Sequence, residues 1–263
     1  MCASKKTDGL RLSAYIFIVL LFLTSCGSQN GQEDVLEKNQ VELTSRAFPE
    51  LLEITNSDDS LSRLYIDSNK AEVFNRKLKD LDKSHPLFTD IDCESEMTLL
   101  AITSLDNSKK KYAIVYGYCP EPEFHIYAAD DLSKFYGSIG GLNMYVTGNG
   151  NLYVSGHVNS NFDLKRKLTF TEQNITEVEQ PHYYVGLKTK TLAAITLFKT
   201  KEMKEVVATL PKDYKIEVLL AETSYQHEDF YLVKTAFGLV GWTQIKAGQY
   251  QSVEVDGIFW NGD

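Results

Sequence analysis

Met97-Thr98-Leu99-Leu100-Ala101-Ile102-Thr103, then Leu105-Asp106-Asn107-Ser108-Lys109, then Tyr112-Ala113-Ile114-Val115-Tyr116-Gly117-Tyr118, is the stretch that decides the fold class. Two apolar runs of strand length flank a polar segment of the length a hairpin turn needs. Both runs are too short for a core helix and rich in β-branched and aromatic residues, which pack well on a pleated surface. The stretch reads as a β-hairpin, and the chain around it repeats the pattern.

Downstream come Phe124 to Ala128, Gly137 to Val146 and Leu152 to Ser155, the last two separated by Gly148-Asn149-Gly150-Asn151. Gly and Asn tolerate positive φ, so that tetrapeptide is a strong turn signal. Lys167 to Thr171 and Ile175 to Val178 form a further hairpin around Glu172-Gln173-Asn174, and Tyr183-Tyr184-Val185 closes the series. Short strands at this spacing predict an antiparallel meander over residues 46–189, in a sheet or a partly closed barrel. Upstream, Leu51, Leu52, Ile54, Leu61, Leu64, Ile66, Val73, Phe74, Leu78 and Leu81 recur in places at three-to-four spacing, with a break at Asn56 to Ser60. That spacing predicts short helices. The fold class expected is mainly β with a few short helices.

A second unit runs from 190 to 263. Its short runs are Ile195-Thr196-Leu197-Phe198, Val206 to Leu210, Tyr214 to Leu220, Phe230 to Thr235 and Phe237 to Ile245, bounded by Lys, Asp, Gly or Pro. That order suggests a small five-stranded barrel. The closing Val253-Glu254-Val255-Asp256-Gly257-Ile258-Phe259-Trp260 alternates apolar and acidic residues before three apolar ones. It is expected to dock rather than dangle, burying Phe259 and Trp260.

Ahead of both units lie two processing segments. Lys5, Lys6 and Arg11 precede the uncharged run Leu12 to Leu23, the n-region and h-region of a signal peptide over residues 1–25. A spanning helix needs about 20 apolar residues, and this run stops short of that. It ends in Leu23-Thr24-Ser25-Cys26, which resembles the lipobox of bacterial lipoproteins. The resemblance implies cleavage before Cys26, a lipid with two acyl chains on that cysteine, and a membrane partnership through those two chains. Gly27 stands where an inner-membrane retention signal would carry Asp, which favours the outer membrane. Residues 26–45 are polar, acidic and free of aromatics, a composition that cannot offset ordering entropy. They read as a tether.

Net charge is −9, and losing residues 1–25 removes net positive charge. An acidic chain of this kind repels nucleic acid, so no nucleic-acid partner is expected. Apolar residues make up 43% and aromatics 11%, enough to build real cores. After processing, only Cys93 and Cys119 remain as thiols. In an oxidising envelope such a pair reads as a disulfide, which on the chain-entropy model stabilises by about 3.5 kcal/mol.

Leu197-Phe198, Val207-Ala208-Thr209-Leu210-Pro211-Lys212, Tyr214 to Leu219, Phe230 to Thr235 and Gly238-Leu239-Val240-Gly241-Trp242-Thr243-Gln244-Ile245 together resemble the bacterial SH3-like domain of envelope proteins, over about residues 190–248. The Gly-x-x-Gly-Trp segment is the most characteristic piece. Residues 46–189 resemble the companion domain of envelope lipoproteins that end this way. The resemblance implies binding of a cell-wall glycopeptide, a peptide or a neighbouring protein, with Tyr225, Tyr231, Phe237 and Trp242 as groove candidates. The bland alternative for Tyr231 and Trp242 is the core of a small barrel.

Catalytic patterns are weaker. Cys93 and Cys119 are candidate nucleophiles beside His125 or His157, but Asp90, Asp92, Glu94 and Glu96 would raise a Cys93 thiol, and Cys119 precedes Pro120. His85, His125, His157, His182 and His227 lack paired metal-ligand spacing. Gly137-Ser138-Ile139-Gly140-Gly141 lacks the Lys-Ser/Thr ending of a phosphate loop, and the Asp and Glu clusters lack a calcium-loop pattern. No cofactor or metal is implied. The expectation is a non-catalytic, lipid-anchored envelope binding protein; the alternative is an envelope hydrolase with its acids in the β-rich domain.

Overall fold

The computed structural model describes residues 47–118, 121–156, 159–172, 174–222, 228–246 and 250–260. Seventeen strands are found among them. The first seven are β1 (Leu52–Thr55), β2 (Arg63–Ile66), β3 (Glu72–Lys77), β4 (Thr98–Thr103), β5 (Tyr112–Tyr118), β6 (Pro122–Ala128) and β7 (Asp131–Gly140). Then come β8 (Asn143–Val146), β9 (Asn151–Ser155), β10 (Arg166–Phe170) and β11 (Ile175–Glu177). The last six are β12 (Tyr183–Lys190), β13 (Ile195–Phe198), β14 (Val206–Leu210), β15 (Lys215–Ala221), β16 (Glu228–Thr235) and β17 (Val240–Lys246). The protein is mainly β, as the hairpin pattern predicts.

Strands β3 to β7 form an antiparallel meander in sequence order, with β4 and β5 pairing as the opening hairpin requires. Strand β5 is buried on both faces, which is why it reads as a continuous apolar run rather than an alternation. Its Tyr112, Ile114 and Tyr116 enter one core while Ala113 and Val115 enter another. The first core is shared with a six-stranded sheet in the order β1-β2-β8-β9-β10-β11, which supplies Leu64, Ile66, Met144, Val146, Leu152 and Val154. The second core is closed by Leu78, Leu81, Leu87 and Met97 from the β3–β4 connection, which carries a 3-10 turn (Leu78–Asp80) and the short helix α1 (Asp92–Ser95).

Two expectations are corrected. Between residues 47 and 81 the chain forms β1, β2 and β3, with helical structure only at the 3-10 turn. Leu64 and Ile66 are buried two residues apart, the period of a strand, whereas Leu52 and Leu61 are exposed and contribute no helical face. The meander is also not the whole domain, because β2 pairs with β8 in parallel across a long crossover that contains the other sheet.

The third sheet contains the five expected strands, β13 to β17, and adds β12 from the preceding region, in the order β12-β15-β16-β17-β13-β14. Tyr183 to Val185 open its first strand and do not end the preceding series. Two glycines explain the Gly-x-x-Gly-Trp segment. Gly238 has a φ of 99° in the β16–β17 turn, a conformation that side chains resist. A Cβ on Gly241 would lie 2.9 Å from Leu197 Cβ and 3.0 Å from the Phe198 carbonyl oxygen, so only glycine lets β13 approach β17. Phe162 and Leu164, from the β9–β10 connection, are buried in this third core, where Phe162 meets Tyr231 edge-on at 6.3 Å. From Glu50 onward the chain therefore clusters as one unit.

The tail docks on this sheet, but through different residues than expected. Val255 and Ile258 are fully buried, whereas Phe259 remains 46% exposed. Val255 bridges to Thr191, the Leu192 N–H donates to the Glu254 carbonyl at 2.7 Å, and Thr189 Oγ1 donates to the Asp256 carbonyl at 2.9 Å.

Candidate functional site

Beside the docked tail, β12, β15 and β16 present a depression of about 600 Å³. Its construction follows from strand alternation. Ile216, Val218, Val233 and Thr235 point into the core, so Lys188, Lys190, Lys215, Glu217 and Lys234, on the other parity, face water. Antiparallel register then gathers them: Lys190 lies opposite Lys215, Lys188 opposite Glu217, and Glu217 opposite Lys234. Asp256 arrives with the tail.

The charges are unevenly paired. Lys234 Nζ reaches Glu217 at 3.0 Å and Lys190 Nζ reaches Asp213 at 3.0 Å. The Asp213 carboxylate, by hydrogen bond and charge, pushes the Lys190 ammonium further up. Among the described residues, Lys188 and Lys215 have no ion-pair partner. Lys215 moreover faces the like-charged Lys190 across the strands, an arrangement that opposes sheet pairing. The groove lining thus carries four lysines against Glu217 and Asp256, and Lys188 and Lys215 stand outside the ion pairs.

The described sequence-derived candidates fall in different places. Tyr231 is 1% exposed and belongs to the core. Trp242 is half-buried, paired with Phe198, with Lys201 Nζ 5.6 Å above its ring and His182 alongside. Phe237 lies on the β16–β17 turn, not in the strand expected to start there, and is 85% exposed. Tyr225, like Cys26, Cys119 and His157, lies outside the described residues. The three described aromatics, Tyr231, Phe237 and Trp242, are therefore not one binding surface, although Phe237 directly follows Ala236 on the groove rim. The lysines were missed because Lys-Thr-Lys at 188–190 and Lys-Ile-Glu at 215–217 each look like an ordinary solvated edge until register puts them together.

Cys93 is disulfide-bonded, with its sulfur 3.4 Å from the carbonyl oxygen of Tyr118, the residue before Cys119. An oxidised sulfur is no nucleophile, so Cys93 cannot work with His125 as a hydrolytic pair. His125 itself is buried, its Nε2 without a hydrogen-bond partner and 3.8 Å from a Glu123 carboxylate oxygen. Burial pushes its pKa below the usual imidazole value, outweighing the opposing pull of Glu123 and Glu94. Among the described residues, no group of three His, Cys, Asp or Glu side chains could hold a metal ion. No protein-family model, curated protein or solved structure matches the chain.

Proposed function

We propose that this chain is a lipid-anchored cell-envelope protein that binds its target without converting it, and that the basic groove is where it binds. The observation that carries the reading is the gathering of Lys188, Lys190, Lys215 and Lys234 around one depression on a chain of net charge −9. On an acidic molecule the long-range field repels anions, so a local basic depression is a selective place for one. In this reading the lipobox-like Leu23-Thr24-Ser25-Cys26 supplies the lipid anchor, Gly27 in place of Asp favours the outer membrane, and residues 26–45 are the tether. In this reading residues 190–248 are an SH3-like module, and Cys93 pairs with Cys119 as a structural staple.

The test uses the processed full-length protein in neutral detergent, incubated with washed cell-wall sacculi and with purified outer membrane. Retention on one of these fractions, with no shortening or release of polymer over hours, is expected. Turnover of the retained polymer, or no retention on either fraction, overturns the reading.

A further inference from the structure

The lysine groove has an apolar neighbour that its charge alone does not explain. Phe237 is 85% exposed, and Leu239 and Val240 are exposed at 42% and 43%. The turn that carries Phe237 is held in place. The Thr235 N–H donates to the Leu239 carbonyl at 2.8 Å, the Leu239 N–H donates to Thr235 Oγ1 at 3.0 Å, and the Gly238 N–H donates to the Thr235 carbonyl at 2.9 Å. Thr235 and Ala236 also line the groove. A rigid turn therefore keeps an aromatic ring in water one peptide bond beyond a basic depression. A lone exposed apolar residue needs no explanation, but here Phe237 follows the lining residue Ala236 and Val240 lies opposite Lys234 across β16 and β17, so exposed apolar and basic side chains stand side by side.

The charges have a geometry too. Lys188 and Lys215, the two without partners, are diagonal neighbours across β12 and β15, since Lys215 lies opposite Lys190. Diagonal positions stand about 7–8 Å apart at their bases. One small anion does not need that separation, whereas successive charged groups along a polymer do. Lysine supplies a point charge with rotatable donors and does not demand the bidentate geometry that arginine recognises, so carboxylate and phosphodiester oxygens are equally acceptable. A sugar polymer carrying such groups also presents C–H faces, which an exposed phenyl ring covers at low entropic cost. We infer that the groove takes an anionic polysaccharide, with its carboxylates or phosphodiesters on Lys188 and Lys215 and one sugar face on Phe237. This rests on the binding reading above and names the ligand class for the same site.

The processed protein in neutral detergent is titrated with three oligosaccharides of equal length: a polyuronate, a phosphodiester-linked glycan and a neutral glucan. Vesicles of anionic phospholipid form a fourth arm. At least one charged oligosaccharide is expected to bind about tenfold or more tighter than the neutral one, with affinity falling as salt rises. Which of the two binds identifies the source of the anion. K188E/K215E should remove that preference, and F237A should weaken the charged oligosaccharide by about fivefold while leaving its salt dependence intact. K109E/K204E, a charge change of equal size away from the groove, should change nothing. If K188E/K215E fails to fold, K188Q/K215Q takes its place. Equal affinity for the neutral glucan, unchanged affinity in the groove variant, or binding of vesicles alone overturns the inference. Where retention on envelope fractions survives such a result, only the ligand class falls; where retention is lost as well, the binding reading falls with it.

Discussion

At the scale of single residues, Gly241 shows how a sequence signature acquires its physical reason. The glycine is needed because β13 and β17 come too close for a Cβ, with the Leu197 side chain and the Phe198 backbone on the far side. Backbone cannot step aside as a flexible side-chain end can. Gly241→Ala is expected to destabilise the protein by about 1–3 kcal/mol, the usual cost of overpacking a close contact. Urea denaturation measures it, and an unchanged midpoint would show that the strands have room to part. His125 is the other residue with a distinct expectation. Its folded-state pKa is depressed by burial, so the unfolded chain takes up a proton that the folded one refuses. The neutral ring's contribution is fully present above the unfolded value of about 6.5 and is lost as pH falls below it. Glu123 and Glu94, the carboxylates facing the ring, limit the depression without reversing it. Stability should therefore drop more steeply between about pH 7.5 and pH 5.5 in the natural protein than in His125→Gln, and parallel curves would refute the assignment.

At the scale of elements, the C-terminal tail behaves as an additional piece of the third sheet. Val255 and Ile258 are its buried anchors, and Thr191 ties the site together by donating from Oγ1 to the Pro211 carbonyl at 2.6 Å and accepting from the Tyr214 N–H at 2.9 Å. Each buried aliphatic contributes about 1.5–3 kcal/mol. Truncation after Ala247 should lower the melting temperature by about 5–15 °C, whereas Phe259→Ala should shift it by about 2 °C or less. A truncated chain that melts with the intact one would contradict the docking. Elements also show what could be read in advance. The hairpins β4–β5, β8–β9 and β10–β11 were legible because turn residues and strand periodicity both act within a dozen or so residues. Strands β1 to β3 were not, since Leu52, Leu61 and Leu64 mimic a helical stripe although only Leu64 of the three is buried. The parallel β2–β8 pairing has no local signal at all, being set by the shared core of two sheets. The same holds for the groove. Its lysines lie on three strands, and only the pairing of β15 with both β12 and β16 makes neighbours of them.

At the scale of the whole molecule, the described residues build two sheets on a shared core and a third sheet that carries the groove, and the proposed function adds a lipid anchor at Cys26 and a tether over residues 26–45. The proposed anchor has its own test. If Cys26 is the lipidated residue, Cys26→Ser should leave the protein unprocessed or released from membranes, as seen by fractionation and intact mass; unchanged membrane partitioning would rule out lipidation there. In the proposed reading, an anchor at Cys26 would set where the groove works, and the groove would set what is held. Binding through Lys188 and Lys215 would be electrostatic, and exposed charges are screened as ionic strength rises. The most direct measurement is retention of the processed full-length protein on purified envelope fractions across a salt series, beside K188E/K215E. The natural protein should be held at low salt and released progressively as salt rises, while the variant should be largely unretained from the start. Equal retention of the two proteins at every salt concentration would contradict the assignment of this groove as the binding site.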